Sequence, residues 1–145
     1  MSNFLLDTNI PSEIIRTLPD PRVDGWILAQ DAATLFLSVV TIGELRKGLT
    51  ILPESKRRSQ LEEWLQDDLV PLFAGRILPV TQSIADRWGV LSGQRQIAGR
   101  PLSMADGILA ATALEHGLTL ATRNVRDYLD LGLTIYNPWE AGVPS

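Results

Sequence analysis

Short apolar runs alternate along the chain with longer stretches in which apolar side chains recur at the spacing of one helix face. The short runs are rich in β-branched and aromatic residues, which favour buried strands. They predict strands at Asn3–Leu6, Thr34–Val40, Arg76–Val80, Leu118–Thr122 and Thr134–Tyr136. The longer stretches predict a helix that follows the first strand and ends at about Arg16, and further helices at Arg22–Gln30, Thr41–Leu52, Glu54–Phe73 and Thr81–Ile97. Another helix is predicted from a Ser103 cap to about His116, and a helical turn at Val125–Leu131.

This order of elements predicts the fold class. Strands separated by helices form parallel sheets, so the pattern indicates an α/β fold, an α/β/α sandwich with a mainly parallel central sheet flanked by helices. No linker, internal repeat or low-complexity segment interrupts it. We therefore predict a single domain over residues 1–145, with a core at about 3–138.

Composition narrows the class of protein. The chain has 145 residues, of which 45% are hydrophobic and 21% charged, typical of one globular domain. It has no cysteine and one histidine, which excludes thiolate chemistry and the usual zinc ligand sets. No apolar run approaches the roughly 20 residues of a membrane helix, and no basic region precedes the first apolar run. We predict a cytoplasmic protein with no membrane partner.

The net charge of −4 argues against a protein that coats nucleic acid through a broad positive field. It does not exclude nucleic acid as a substrate, because an enzyme can contact phosphates through a few arginines. A metal-dependent enzyme therefore remains favoured over a nucleic-acid binding module.

Acidic residues follow several of the predicted strands. Asp7 comes directly after the first strand, Glu44 lies early in the helix after the second, and Asp106 lies three residues after the Ser103 cap. Asn124 and Asp127 follow the strand at 118–122. Ligands of parallel sheets bind at the carboxyl ends of the strands, so these side chains are predicted to meet there.

Each acid also has a structural interpretation. Asp7 can cap the first helix, Asp106 can interact with a helix dipole, and Glu44 can be an ordinary residue of a first turn. Carboxylates brought together repel one another unless a cation lies between them. An oxygen-only ligand set favours Mg²⁺ or Mn²⁺, which promote phosphoryl chemistry by activating water.

Other catalytic motifs are missing or incomplete. The chain has no G-x-G-x-x-G, Walker or G-x-S-x-G sequence. Asp7 followed by Asn9 is similar to the start of haloacid-dehalogenase-type phosphatases, in which the aspartate is the nucleophile. Those enzymes need a second aspartate two residues on, and Asn9 cannot donate its proton. A phosphatase is therefore the less favoured alternative.

Four segments together resemble the motifs of PIN-domain ribonucleases, most closely VapC-type toxins of the FitB-like branch of type II toxin–antitoxin systems. They are LLDTN at 5–9, SVVTIGEL at 38–45, SMADGILAATA at 103–113 and ATRNVRDY at 121–128. They occur in the family's order and spacing and span nearly the whole chain. The resemblance implies a PIN domain and an endoribonuclease that depends on Mg²⁺ or Mn²⁺.

The resemblance also implies roles for particular residues. Asp7, Glu44 and Asp106 fall on the family's acidic positions, with Asp7 and Asp106 as the principal metal ligands and Glu44 as a third ligand or as the base for the attacking water. Asn124 stands where some relatives have aspartate, and Asp127 supplies an acid three residues on. The remaining positions implied to orient the acids or contact substrate are Thr8, Asn9, Ser38 and Thr122.

Arg46 and Arg100 lie near the expected cleft and are candidate phosphate contacts. The family further implies RNA as substrate, a cognate VapB-like antitoxin as partner, a homodimer within the toxin–antitoxin complex, and operator DNA bound only through the antitoxin. The alternative within the same fold is a catalytically weak binding or scaffold module, which Asn124 in place of an acid leaves open.

Overall fold

A computed structural model describes residues 2–140. The strands are β1 (Phe4–Leu6), β2 (Leu35–Ser38), β3 (Ile77–Leu78), β4 (Thr119–Ala121) and β5 (Ile135–Tyr136). The helices are α1 (Asn9–Ile14), α2 (Pro21–Ala29), α3 (Val39–Thr50), α4 (Lys56–Glu63), α5 (Val70–Leu72), α6 (Gln82–Ile97) and α7 (Met104–His116). Short 3₁₀ turns lie at Ala32–Thr34 and Val125–Tyr128.

Within residues 2–140, the five strands form one parallel sheet in the order β3-β2-β1-β4-β5. The predicted α/β class with a parallel sheet is thereby confirmed. The chain builds outward from β1 in one direction through β2 and β3, then crosses back to place β4 on the other side of β1. The order therefore reverses between β1 and β4, and such a switch point opens a crevice at the carboxyl ends of the two strands.

Two apolar cores lie on opposite faces of the sheet. Leu5 belongs to the core beneath α6 and α7, whereas Leu6 belongs to the core beneath α1, α2 and α3. Neighbouring residues of a strand point to opposite faces, so one short apolar strand supplies both cores. Both side chains are almost fully buried, which fixes the position of Asp7 directly after them.

The predicted junction between the second strand and the helix after it differs from the structure. The strand predicted at Thr34–Val40 ends at Ser38, and the helix predicted from Thr41 already begins at Val39. The Ser38 hydroxyl accepts a hydrogen bond from the Val40 amide at 3.1 Å and so caps α3. The β-branched Val39 and Val40 favour a strand, but the cap places them in the first helical turn.

The long helix predicted at Glu54–Phe73 contains an unpredicted π-helical segment, Trp64–Leu69, between α4 and α5. Pro71 follows this segment, has no amide hydrogen, and in an α-helix would crowd the carbonyl four residues earlier. The wider π turn immediately before it relieves that crowding.

No helix within residues 2–140 combines the length and the apolar character needed to cross a membrane.

Candidate active site

Asp7 lies at the switch point of the sheet. Its amide donates to the Ala121 carbonyl at 2.9 Å, which continues the pairing of β1 with β4 one residue beyond the strand. The side chain is 5% exposed and does not cap α1 through its carboxylate, although the Asp7 carbonyl accepts from the Ile10 amide. The crevice between the two strands therefore has a buried carboxylate at its base.

Three donors hold the Asp7 carboxylate. The Thr8 amide donates to Oδ1 at 2.7 Å, and the hydroxyls of Thr122 and Tyr128 lie 2.7 and 3.1 Å from Oδ2. Burial nevertheless raises the pKa of Asp7, and the nearby negative charge of Asp106 raises it further, while these hydrogen bonds act in the opposite direction.

Asp106 converges on the same point from α7. The Ser103 hydroxyl caps this helix by accepting from the Asp106 amide at 3.2 Å, as the sequence predicts. The Asp106 carboxylate is half-buried, and its Oδ1 lies 2.9 Å from the Tyr128 hydroxyl. Asp7 and Asp106 thus approach one phenol oxygen, although they are far apart along the chain.

Tyr128 was given no role by the sequence. Its ring is 1% exposed, and burial together with the charges of Asp7 and Asp106 raises its pKa well above the ordinary value. The protonated phenol carries a single hydrogen, so it donates to only one of the two carboxylates at a time. The only sequence signal was its place at the end of the fourth motif, where an aromatic residue is equally compatible with an ordinary core position.

Glu44 is joined to this pair through Thr8. The Thr8 hydroxyl lies 2.5 Å from Glu44 Oε1 and 3.3 Å from the Thr41 hydroxyl. Because the Thr8 amide also binds Asp7, one residue connects two of the three predicted acids. Glu44 comes from the first half of α3, whose start is set by the Ser38 cap.

Thr122 is the second connecting residue and is fully buried. Its hydroxyl donates to Asp7 Oδ2 and accepts from the Asn124 amide at 3.0 Å and the Asn9 side chain at 3.4 Å. One donor and two acceptors use the full capacity of a hydroxyl. The predicted orienting role of Thr122 therefore has a concrete geometric basis, and Asn9 contributes from the start of α1.

Asn124 and Asp127 follow β4 as predicted, but both are exposed. Among residues 2–140, neither side chain forms a hydrogen bond with the acids of the crevice; Asn124 acts there through its amide. Arg46 pairs with Glu62 at 3.4 Å, and Arg100 pairs with Asp130 at 3.2 Å, so neither guanidinium contacts the carboxylates. The structure thus brings together Asp7, Asp106 and, through Thr8, Glu44.

The donor chemistry fits a hard divalent cation only in part. Asp7 and Asp106 offer carboxylate oxygens around one point, and their mutual repulsion is the kind that a cation removes. Within residues 2–140, however, no three acidic or histidine side chains lie close enough together to hold a metal ion as a group. Glu44 stands apart from the pair, so the predicted three-ligand set is not closed in the structure.

The raised pKa of Asp7 has a testable consequence for stability. A raised pKa means that the folded state holds this proton more tightly than the unfolded chain, so metal-free protein loses stability as pH rises from about 4 through the raised pKa. Asp7→Asn removes that cost. In chelator, we measure the difference in melting temperature between Asp7→Asn and wild type. We expect this difference, variant minus wild type, to become more positive from about pH 4 to pH 7. A difference in melting temperature that stays constant across this pH range would contradict the raised pKa of Asp7 in the folded state.

The chain belongs to the PIN-domain family, whose model, described as "PIN domain", matches residues 4–130. VapC ribonuclease Y4jK of Sinorhizobium fredii is 41% identical over 94% of this chain and 98% of the relative. Toxin FitB of Neisseria gonorrhoeae is 38% identical over 94% of this chain and 98% of its own length. A solved structure of FitAB bound to a DNA fragment superposes with a TM-score of 0.87 at 35% identity, covering 94% of this chain and 95% of that one.

Proposed function

We propose that this protein is a metal-dependent endoribonuclease and the toxin of a type II toxin–antitoxin system, acting in the cytoplasm as a single domain over residues 1–145. The observation that carries the proposal is the convergence of Asp7 and Asp106 on one point at the switch point of the sheet. The similarity to a VapC ribonuclease and to the FitB toxin over nearly the whole chain supports it.

In this proposal Asp7 and Asp106 hold Mg²⁺ or Mn²⁺, and Glu44 is a third ligand or the base for the attacking water. A bound ion would supply the activation of water and the charge stabilisation that hydrolysis of a phosphodiester needs. Thr8 keeps Glu44 in place, and Thr122 keeps Asp7 in place, through the hydrogen bonds described above. Both hydroxyls thereby limit the movement of the acids when RNA enters.

We assign the remaining candidate residues to substrate contacts or to polar contacts around the principal acids. Asn124 and Asp127 flank the crevice after β4 and are accessible to RNA or to water around an ion. Arg46 and Arg100 have about half of their side chains exposed, so each can exchange its carboxylate partner for a phosphate. Ser38 acts indirectly, because it starts the helix that carries Glu44.

The direct test is incubation of the purified chain with transfer and messenger RNA in Mg²⁺, in Mn²⁺ and in chelator. We expect cleavage with either ion and none in chelator. Calorimetric titration with Mn²⁺ separates this from the scaffold alternative, which predicts no binding and no cleavage. Membership of the PIN family removes the reason to retain the phosphatase alternative.

An apolar groove of about 340 Å³ lies on the face of the sheet that carries α1 and α2. Leu28 and Leu72 line this groove and are 78% and 63% exposed. Other lining residues are Ile14, Leu35, Trp64 and Phe73. Exposed apolar surface of this kind marks an interaction site, and we assign it to an apolar segment of the cognate antitoxin.

The double variant Leu28→Glu, Leu72→Glu is expected to lose co-purification with the antitoxin encoded beside the gene, because two carboxylates would be buried in an apolar contact. Its metal-dependent RNA cleavage should persist, since both residues lie outside the crevice. Ile97→Glu is the matched control, because Ile97 is 89% exposed on α6 and does not line the groove. Retention of the antitoxin by the double variant would show that it binds elsewhere.

We also propose that the protein forms a homodimer within the toxin–antitoxin complex. Operator DNA would be bound only through the antitoxin. A chain with a net charge of −4 lacks the positive electrostatic field that attracts the phosphates of duplex DNA.

A further inference from the structure

We propose that Tyr128 is a positioning residue of the active site, whose hydroxyl holds Asp7 and Asp106 within reach of one cation before that cation binds. The inference rests on the proposed function, because the cation in question is the metal of the nuclease. The hydroxyl lies 3.1 Å from Asp7 Oδ2 and 2.9 Å from Asp106 Oδ1. Among residues 2–140, no other side chain lies within hydrogen-bond distance of both carboxylates.

Two carboxylates in a crevice repel each other, and this repulsion is strongest where burial reduces screening by water. Without a group between them, the half-buried Asp106 would turn outward more easily than the buried Asp7. The Tyr128 hydroxyl donates its single hydrogen to either carboxylate in turn, so a carboxylate that moves away gives up this shared hydrogen bond. The free energy of metal binding is then not reduced by the work of bringing the two carboxylates together.

The contacts also show why Tyr128 need not compete with the cation. Asp7 Oδ2 lies within hydrogen-bond distance of the Thr122 and Tyr128 hydroxyls, whereas among residues 2–140 Oδ1 accepts only from the Thr8 amide and retains one lone pair. Asp106 Oδ2 accepts no hydrogen bond from residues 2–140. The hydroxyl therefore occupies oxygens that leave capacity for a cation on the opposite oxygen of each carboxylate.

Arg95 fixes the segment that carries Tyr128. Its guanidinium is almost fully buried and donates to the carbonyls of Asp127 and Leu129, one on each side of Tyr128, and to the carbonyl of Arg100. Among residues 2–140, it has no carboxylate partner. A buried arginine bound to three backbone carbonyls cross-links α6 to the 3₁₀ turn after β4, and we assign it the role of holding Tyr128 in place.

The test is calorimetric titration of Tyr128→Phe with Mn²⁺, without RNA. We expect affinity about tenfold weaker than that of wild type, the scale of one hydrogen bond to a charged group. RNA cleavage by this variant should recover as the Mn²⁺ concentration is raised, whereas Asp106→Asn should not recover. Tyr136→Phe is the matched control, because its ring packs against Phe4 and Trp26 rather than against a carboxylate, and its affinity should equal that of wild type.

Arg95→Lys should weaken Mn²⁺ binding in the same direction, because an ammonium group cannot replace a planar guanidinium that reaches three carbonyls. Circular dichroism confirms that each variant is folded before titration. Equal or tighter Mn²⁺ binding by folded Tyr128→Phe would overturn this inference while leaving the nuclease proposal intact. Failure of the wild-type protein to bind Mn²⁺ would overturn the nuclease proposal and this inference with it.

Discussion

Asp106→Asn is expected to lower metal-dependent RNA cleavage by about 10³-fold or more, because it removes a negative charge from the pair that we propose as cation ligands. The substitution keeps the size of the side chain and one carbonyl oxygen. The Ser103 cap contacts the backbone amide of residue 106 and is unaffected. Loss of activity should therefore occur in a folded protein, and in cells the variant should no longer arrest growth.

Asp86→Asn provides the control for charge removal. Asp86 lies on α6 two residues after the core residue Ile84 and is exposed. Among residues 2–140, its side chain forms no hydrogen bond with the acids of the crevice. Its cleavage rate should equal that of wild type under the same Mg²⁺ or Mn²⁺ concentration. Wild-type activity in both Asp106→Asn and Asp7→Asn would remove the proposed site altogether.

Gly107→Ala is expected to destabilise the protein by about 2 kcal/mol, the usual scale of overpacking. A Cβ at this position would lie 2.6 Å from Trp88 Cδ1 and 2.9 Å from Trp88 Nε1. The indole of Trp88 packs α6 directly against α7, so relief of the clash requires movement of the ring or of the helix. Because Gly107 adjoins Asp106, the same movement should also reduce RNA cleavage. Urea denaturation measures the loss of stability.

Gly93→Ala is the matched control on α6. A Cβ at Gly93 meets nothing within 4 Å, so the substitution should stabilise the helix by about 0.5–1 kcal/mol through lower backbone entropy of the unfolded chain. Opposite signs for these two glycine-to-alanine changes would identify close helix packing as the reason for glycine at 107. Equal effects would show that Trp88 moves away without cost.

Several elements could be predicted because their signals are local. The Ser103 cap of α7 depends only on residues within the first turn of that helix. The parallel sheet follows from the alternation of apolar strands and amphipathic helices. The predicted end of β2 was wrong because two local signals compete there. The β propensity of Val39 and Val40 favours a strand, but the Ser38 cap places both residues in the first turn of α3.

The prediction that Asp7, Glu44 and Asp106 belong to one site used the rule that parallel strands present their carboxyl ends at one edge. That rule brings residues to an edge but does not say which side chains touch. The folded chain separates Glu44 from the Asp7–Asp106 pair by the Thr8 hydroxyl and exposes Asn124 and Asp127 to solvent. These distances depend on how α3, α7 and the turn after β4 pack on the sheet.

The order of amino acids was thus sufficient for the α/β class, the family resemblance and the set of candidate acids, since periodicity, caps and short motifs involve neighbouring residues. The contact of Tyr128 with Asp7 and Asp106, and the hold of Arg95 on the turn around it, required the three-dimensional arrangement. Both join residues that are distant along the chain, and no periodicity or motif reports where a buried hydroxyl or guanidinium finds its partners.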